Sequence, residues 1–215
     1  NEDAAGLPTT YGSLLREHVD PAGRDCEVVS RLRAAGAIVV GKTNLPEFDR
    51  LVNDWLPYQV QASRLWARAG PEQRSGAHGF RDQLQDVLPL LFHDPALARR
   101  QILLHARQQL LEGDVLAWWH ASKTGATGLG ARSRASDVHL WLPFVVARYV
   151  RATGDEALLD VEVPFLEGPP LPPRVAGRLI VPRLSRDTGT VYGHCRRAIA
   201  RTLARMGRHG LPLLG

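Results

Sequence analysis

From about Leu51 to Met206, apolar residues return at three- and four-residue intervals in one stretch after another, and this spacing commits most of the chain to packed helices. Leu56, Val60 and Leu65 mark a helix over Asn53–Ala69. Leu84, Val87, Leu88 and Leu91 mark another over Phe80–Phe92, which Pro89 must kink or shorten because it has no N–H. Asp94 followed by Pro95 is a strong helix start, for a helix ending before Gly113. Asp137–Thr153 is helical and closed by Gly154, and Asp155–Leu159 has room for one further turn. A final helix over Thr190–Met206 turns Val191, Cys195, Ile199 and Leu203 inward. Glu112–Ser136 reads as a long loop and Val161–Gly189 as an irregular, proline-rich stretch. The expected fold is mainly α.

The first fifty residues have a different texture. A helix is expected over Arg24–Ala35, with Val28, Val29 and Leu32 on one face and Gly36 as its stop. Ala37–Val40 reads as a short buried strand and Gly41–Asn44 as a turn. One helix and one strand cannot close a core alone. Two domains are therefore expected, a short α/β fragment over 1–50 and a helical domain over 51–215.

With 44% hydrophobic and 23% charged residues among 215, the chain can offset its ordering entropy by burial. The net charge of +5 comes mostly from Arg interleaved with acids, with Arg99–Arg100 and Arg196–Arg197 the tight pairs. That pattern argues for solvated helix faces and against a nucleic-acid partner. Cys26 and Cys195 form no CxxC, and the histidines do not pair at metal-ligand spacing, so neither zinc nor a disulfide framework is expected. No apolar run is long enough for a membrane span, and a cytoplasmic location fits. Trp55, Trp66 and Trp141 are assigned to the core.

Gly79-Phe80-Arg81-Asp82-Gln83-Leu84-Gln85-Asp86 concentrates two carboxylates, a guanidinium and two amides within about two helical turns. Such groups are costly to bury unless they pair or meet a polar ligand. Sugar hydroxyls suit them; an exposed helix with internal ion pairs would also account for them.

This motif, with Asn53–Gln59, Glu112-Gly113-Asp114-Val115, Trp118-Trp119-His120, Leu140–Pro143, Thr153-Gly154-Asp155 and Val163–Gly168, resembles glycoside hydrolase family 94 over Val52–Gly215. Within the family it is most similar to the phosphorylase-like region of cyclic β-1,2-glucan synthases. The resemblance implies an (α/α)6 barrel, here incomplete, acting on β-glucan oligosaccharides, with inorganic phosphate as co-substrate and no cofactor. It implies that Arg81, Asp82 and Asp86 hold the sugar where the bond breaks. Trp118, Trp119 and His120 lie in a loop near the site, the two tryptophans serving as sugar platforms or as buried anchors. Arg134 and Asp137 stand at its mouth. The sequence departs from the family at Val138, where a second acid is common, and at Phe144, where tyrosine is common; the stretch Ser122–Gly130 is also altered. Gly125, Gly128 and Gly130 follow no expected strand and give only a weak phosphate-loop signal.

Ala5–Ser13, Val29–Ile38 and Gly41–Phe48 resemble the amidase signature family. That family uses a lysine and two serines, which the resemblance places outside Asn1–Asp49. Lys42 belongs to a turn, and Ser13 and Ser30 have no base in reach. In family 94 the general acid lies in a Gly-Asp-Trp-Asn-Asp stretch, following a sequence like Gly210–Gly215. A catalytically incomplete glycosyl-transfer fragment is therefore expected, with uncovered apolar helix faces open to self-association. The alternatives are a non-catalytic carbohydrate-binding or scaffold protein and an amidase fragment without its triad.

Overall fold

The computed structural model describes residues 2–10, 19–39, 41–42, 50–68, 75–122 and 127–213. They fall into two compact units, Asn1–Gln59 and Val60–Gly215.

In the first unit, α1 spans Glu27–Ala34. Gly36 takes φ +88°, its N–H donates to Arg33 O, and Ala37 N–H donates to Leu32 O, a Schellman ending that needs glycine at the left-handed position. The expected inner face is not buried: Val28 and Leu32 are both exposed. The expected strand over Ala37–Val40 is absent from the described residues 37–39, where Ile38 is 85% exposed and no partner strand supplies a ladder; Val40 lies outside the described residues. The turn at Gly41–Asn44 is described only at Gly41 and Lys42, and Ser13 and Pro46–Phe48 also fall outside. The unit is tied by polar contacts instead. Ala5 N–H donates to Asp25 Oδ1 at 2.6 Å, Lys42 Nζ to the buried Thr9 hydroxyl at 2.6 Å, and that hydroxyl to Asp3 Oδ1 at 2.6 Å. A wide helical segment, Leu51–Trp55, and a short helix α2, Leu56–Gln59, complete it. Trp55, expected in the core, is exposed.

The second unit begins with a wide helical segment, Val60–Trp66, in which Ala67 N–H reaches back five residues to Ala62 O. Trp66 is exposed as well, and Trp141 is half-buried against the core rather than inside it. Helix α3 is Phe80–Asp86 and α4 is Leu90–His93, separated by the turn that Pro89 imposes. Helix α5 is Pro95–Ala106, capped by Asp94 Oδ1, which accepts from Leu97 N–H at 2.8 Å. Helix α6 is Trp141–Thr153, closed by Gly154 at φ +72°, and a 3-10 turn, Glu156–Asp160, follows. Helix α7 is Val191–Leu203, with the Thr190 hydroxyl accepting from Gly193 N–H. Its buried stripe is Val191, His194, Cys195 and Ala198; Ile199 and Leu203, expected inward, are exposed.

Two expected loops are sheets. Glu112–Ser136 contains β2, Leu116–Ala121, and β3, Thr127–Ser133, paired antiparallel. Register shifts at Leu116/Trp118 and Trp119/Ala121 break the two-residue alternation by which a strand is recognised. Gly128 and Gly130 are strand glycines: a Cβ at Gly130 would fall 2.7 Å from Leu116 Cδ1. Val161–Gly189 contains β4, Glu162–Glu167, β5, Gly177–Ile180, and β6, Arg183–Thr190, with Pro164 beside a register shift. With β1, His78–Gly79, the strands form sheets ordered β1-β2-β3-β5 and β4-β6. The unit is thus helices packed with two small sheets. One apolar core joins Phe80 and Leu84 of α3, Ile102 of α5, Leu142 and Val145 of α6, Trp119 of β2 and Val191 of α7. Each fully buried Leu, Val or Phe contributes roughly 1.5–3 kcal/mol.

Candidate functional site

Strand pairing carries distant residues to one place. β1 sets Gly79 opposite Trp118 and His78 opposite Trp119. Helix α3 starts at once, so Arg81 and Asp82 of its first turn stand beside β2. The end of β3 and the turn after it add Ser133, Ala135 and Val138. Together with Ala117, these residues line a cavity of about 150 Å³. That is below the usual range for drug-sized ligands and is suited to one small ring.

The cavity's polar groups alternate in type. Arg81 Nη1 donates to Asp137 Oδ2 at 2.7 Å, both side chains being about half exposed. The Asp82 carboxylate lies over Gly79, in the space a Cβ would fill. The ring of Trp118 meets His120 edge-on at 5.7 Å, and His120 Nε2 is 3.3 Å from Ser75 Oγ. A donor fork, carboxylate acceptors and an aromatic ring around a ring-sized hollow are the groups that bind vicinal hydroxyls. Larger concavities lie along α7, about 460 Å³, and along the outer side of α6, about 300 and 330 Å³. The α7 groove has Arg196 and Arg197 but no carboxylate, so it offers hydroxyls donors without acceptors.

Of the residues singled out from sequence, Arg81, Asp82 and Trp118 meet at the cavity and Asp137 holds Arg81 there. Asp86 lies one turn further along α3. Arg64 Nε donates to both its oxygens, at 2.9 and 3.1 Å. Burial raises the pKa of Asp86, and the Arg64 partner opposes that. Trp119 is only 2% exposed: it stacks on His78 at 5.0 Å and meets His105 edge-on, the buried-anchor alternative. Arg134 is turned to backbone carbonyls, Nε to Val175 O at 2.8 Å and Nη2 to Leu171 O and Pro172 O at 3.0 and 2.9 Å.

His78 shows how the surroundings are set. Its Nδ1–H faces Gln83 Oε1, which leaves Nε2 to accept from Arg68 at 2.8 Å. Burial lowers its pKa and the Arg68 charge lowers it further, so the neutral ring is favoured. Arg68 sits at φ +52°, a strained position for a non-glycine residue.

Sequence reasoning missed Arg132. This side chain is 2% exposed, and it clasps Asp114 through Nε at 2.7 Å and Nη2 at 2.9 Å. Nη2 also reaches Glu112 at 3.2 Å, and Nη1 donates to Gly168 O and Pro169 O. No short-range spacing signals a pair eighteen residues apart. Among the described residues no group of His, Cys, Asp and Glu could hold a metal ion, and no helix is long and apolar enough to cross a membrane.

Two family models match the chain. The glycosyl hydrolase 94 superfamily catalytic domain matches residues 35–215, and the amidase family matches residues 1–53. The cyclic beta-(1,2)-glucan synthase NdvB of Rhizobium meliloti (strain 1021) is 44% identical over 177 residues, 81% of this chain and 6% of that protein. The solabiose phosphorylase of Paenibacillus borealis is 28% identical over 172 residues, 80% of this chain and 18% of its own. The putative amidase AmiA2 of Mycobacterium tuberculosis (strain ATCC 25618 / H37Rv) is 58% identical over 45 residues, 21% of this chain and 9% of that protein. The chain thus spans less than a fifth of each of these three relatives.

Proposed function

This chain belongs to the glycosyl hydrolase 94 superfamily, and on that premise we propose that its Val60–Gly215 unit supplies the sugar-binding wall of a domain that transfers glycosyl groups between β-glucosides and phosphate. Phosphate enters this reading as a substrate. The helices α3–α7 are read as part of an (α/α)6 ring with the sheets at its mouth. The observation that carries the reading is the hollow in which Arg81, Asp82 and Trp118 meet. Arg81 donates to ring hydroxyls, Asp82 accepts from them, and Trp118 covers a C–H face. Asp137 holds the guanidinium in place. Asp86, paired with Arg64, keeps α3 attached to the Val60–Trp66 segment and is read as a further acceptor at the edge of the site.

Transfer with inversion needs a proton on the leaving oxygen, and a positioned general acid contributes ~10²–10⁴-fold. The Gly-Asp-Trp-Asn-Asp stretch that holds this acid in the family does not occur among the 215 residues. Asp86 is no substitute as it is placed, because both of its oxygens accept from Arg64 Nε rather than facing the hollow. A polypeptide of these residues alone is therefore expected to bind β-1,2-linked glucan oligosaccharides without releasing glucose 1-phosphate from them. Coupled detection of glucose 1-phosphate checks this, and turnover above a blank would refute it. Calorimetry with Asp86→Ala should show weakened binding; equal binding removes Asp86 from the site.

A further inference from the structure

Strands β4 and β5 are joined by Gly168-Pro169-Pro170-Leu171-Pro172-Pro173-Arg174-Val175-Ala176. Four of these nine residues are proline and carry no N–H. The segment is therefore rich in carbonyls and poor in donors; one local turn, Val175 N–H to Pro172 O at 3.2 Å, is made within it, and other carbonyls look to neighbouring elements. Two arginines make up the deficit, Arg132 on β3 and Arg134 just beyond the end of that strand. Arg132 Nη1 donates to Gly168 O at 3.1 Å and Pro169 O at 3.0 Å. Arg134 donates to Leu171 O, Pro172 O and Val175 O through its side chain, and its backbone N–H donates to Ala176 O at 2.8 Å. Arg132 is itself fixed by Asp114. Arg134 lies between Ser133 and Ala135, and both of those line the hollow that holds Arg81 and Asp82. Ser133 also pairs with Gly177, where the segment joins the β1-β2-β3-β5 sheet.

We propose that Arg134 is a positioning residue that acts through this segment: it straps residues 168–176 to β3 and thereby holds the Ser133–Ala135 wall of the sugar hollow in its binding shape. The proposal rests on the sugar-site reading given above. It gives Arg134 a role other than contact with the sugar, since its guanidinium is committed to three carbonyls. The strap is stiff by composition, because proline restricts its own backbone, so release of one staple should loosen the whole segment and the wall beneath it.

The test uses the full chain, a β-1,2-linked glucan oligosaccharide as probe, calorimetry for affinity and amide hydrogen exchange for local opening. Arg134→Ala should weaken binding about tenfold and speed exchange at Leu171, Val175, Ala176 and Arg134's own position, with the core helices unaffected. Arg134→Lys, a milder change in case the alanine variant misfolds, should fall between the two, because an ammonium cannot span the fork of carbonyls. Arg81→Ala should weaken binding with strap exchange unchanged. Faster strap exchange with unchanged affinity would overturn the proposal, as would lost affinity with unchanged exchange, which would make Arg134 a direct contact. Unchanged affinity after Arg81→Ala would instead sink the sugar-site reading, and the strap's role with it.

Discussion

At the scale of single residues, the site reads as a local arrangement with steric limits that can be tested. Gly79 has φ −93°, so alanine is allowed by its backbone, but the added Cβ would take the space of the Asp82 carboxylate. Gly79→Ala should leave the melting temperature nearly unchanged and weaken oligosaccharide binding, as measured by calorimetry; unaltered affinity would show that the placement of Asp82 does not matter. His105 gives the pH dependence. Burial drives its pKa from 6.5 to about 4, so the folded state holds it neutral. The unfolded chain binds the extra proton, so its contribution is complete above pH 6.5 and is lost as pH falls to about 4. For one such group the loss is on the order of 3 kcal/mol. His105→Phe, which keeps a ring against Phe80 and Trp119, should flatten that part of a stability-against-pH curve measured by urea unfolding. The proximity of Arg81 and Asp82 was legible because they share one short motif, whereas Trp118 joins them only through the pairing of β1 with β2. The commitments of Trp119 and Arg134 were not legible, since each is decided by partners far along the chain: His105 for the first, Leu171–Val175 for the second.

At the scale of elements, helices were legible and strands were not. Asp94 with Pro95, Pro89 and Gly154 act through the backbone of their own neighbourhood, and the helix ends follow them. The β2–β3 hairpin hides its period behind two register shifts, and β4 carries Pro164. Glycines test this account well. Gly113, at φ +91°, faces Arg197 O of α7 at 2.7 Å from its would-be Cβ, whereas Gly154, at φ +72°, has nothing within 4 Å. Gly154→Ala should cost roughly 1 kcal/mol and Gly113→Ala about 2–4 kcal/mol, read from chemical denaturation. Equal losses would mean that the turn at Gly113 yields. The Arg132–Asp114 pair is the other test. Asp114→Ala leaves a buried guanidinium without its bidentate partner and should cost ~3–5 kcal/mol. The double variant Arg132→Met/Asp114→Leu should lose less than Asp114→Ala alone, and a larger loss would contradict the pairing argument.

At the scale of the whole molecule, two units of different kinship share one chain, and each accounts for its own residues. The Asn1–Gln59 unit has Val28, Leu32 and Ile38 exposed, and among its described residues no strand pairs with helix α1 to cover them. The Val60–Gly215 unit has a closed core but leaves Phe92, Phe144, Tyr192, Ile199 and Leu203 on its surface. Apolar patches of this kind favour association, so sedimentation velocity should show concentration-dependent self-association; a single monomer at all concentrations would contradict it. Family kinship was legible from motif order alone, while the mixed architecture was not, because long-range strand pairing leaves no local period. The central claim is that the hollow beside α3 receives a sugar ring. A crystal structure of the chain with a bound β-1,2-linked glucan oligosaccharide tests it most directly. A ring held between Arg81, Asp82 and Trp118 is the expected result, and a sugar seated only in the α7 groove, away from these residues, would contradict it.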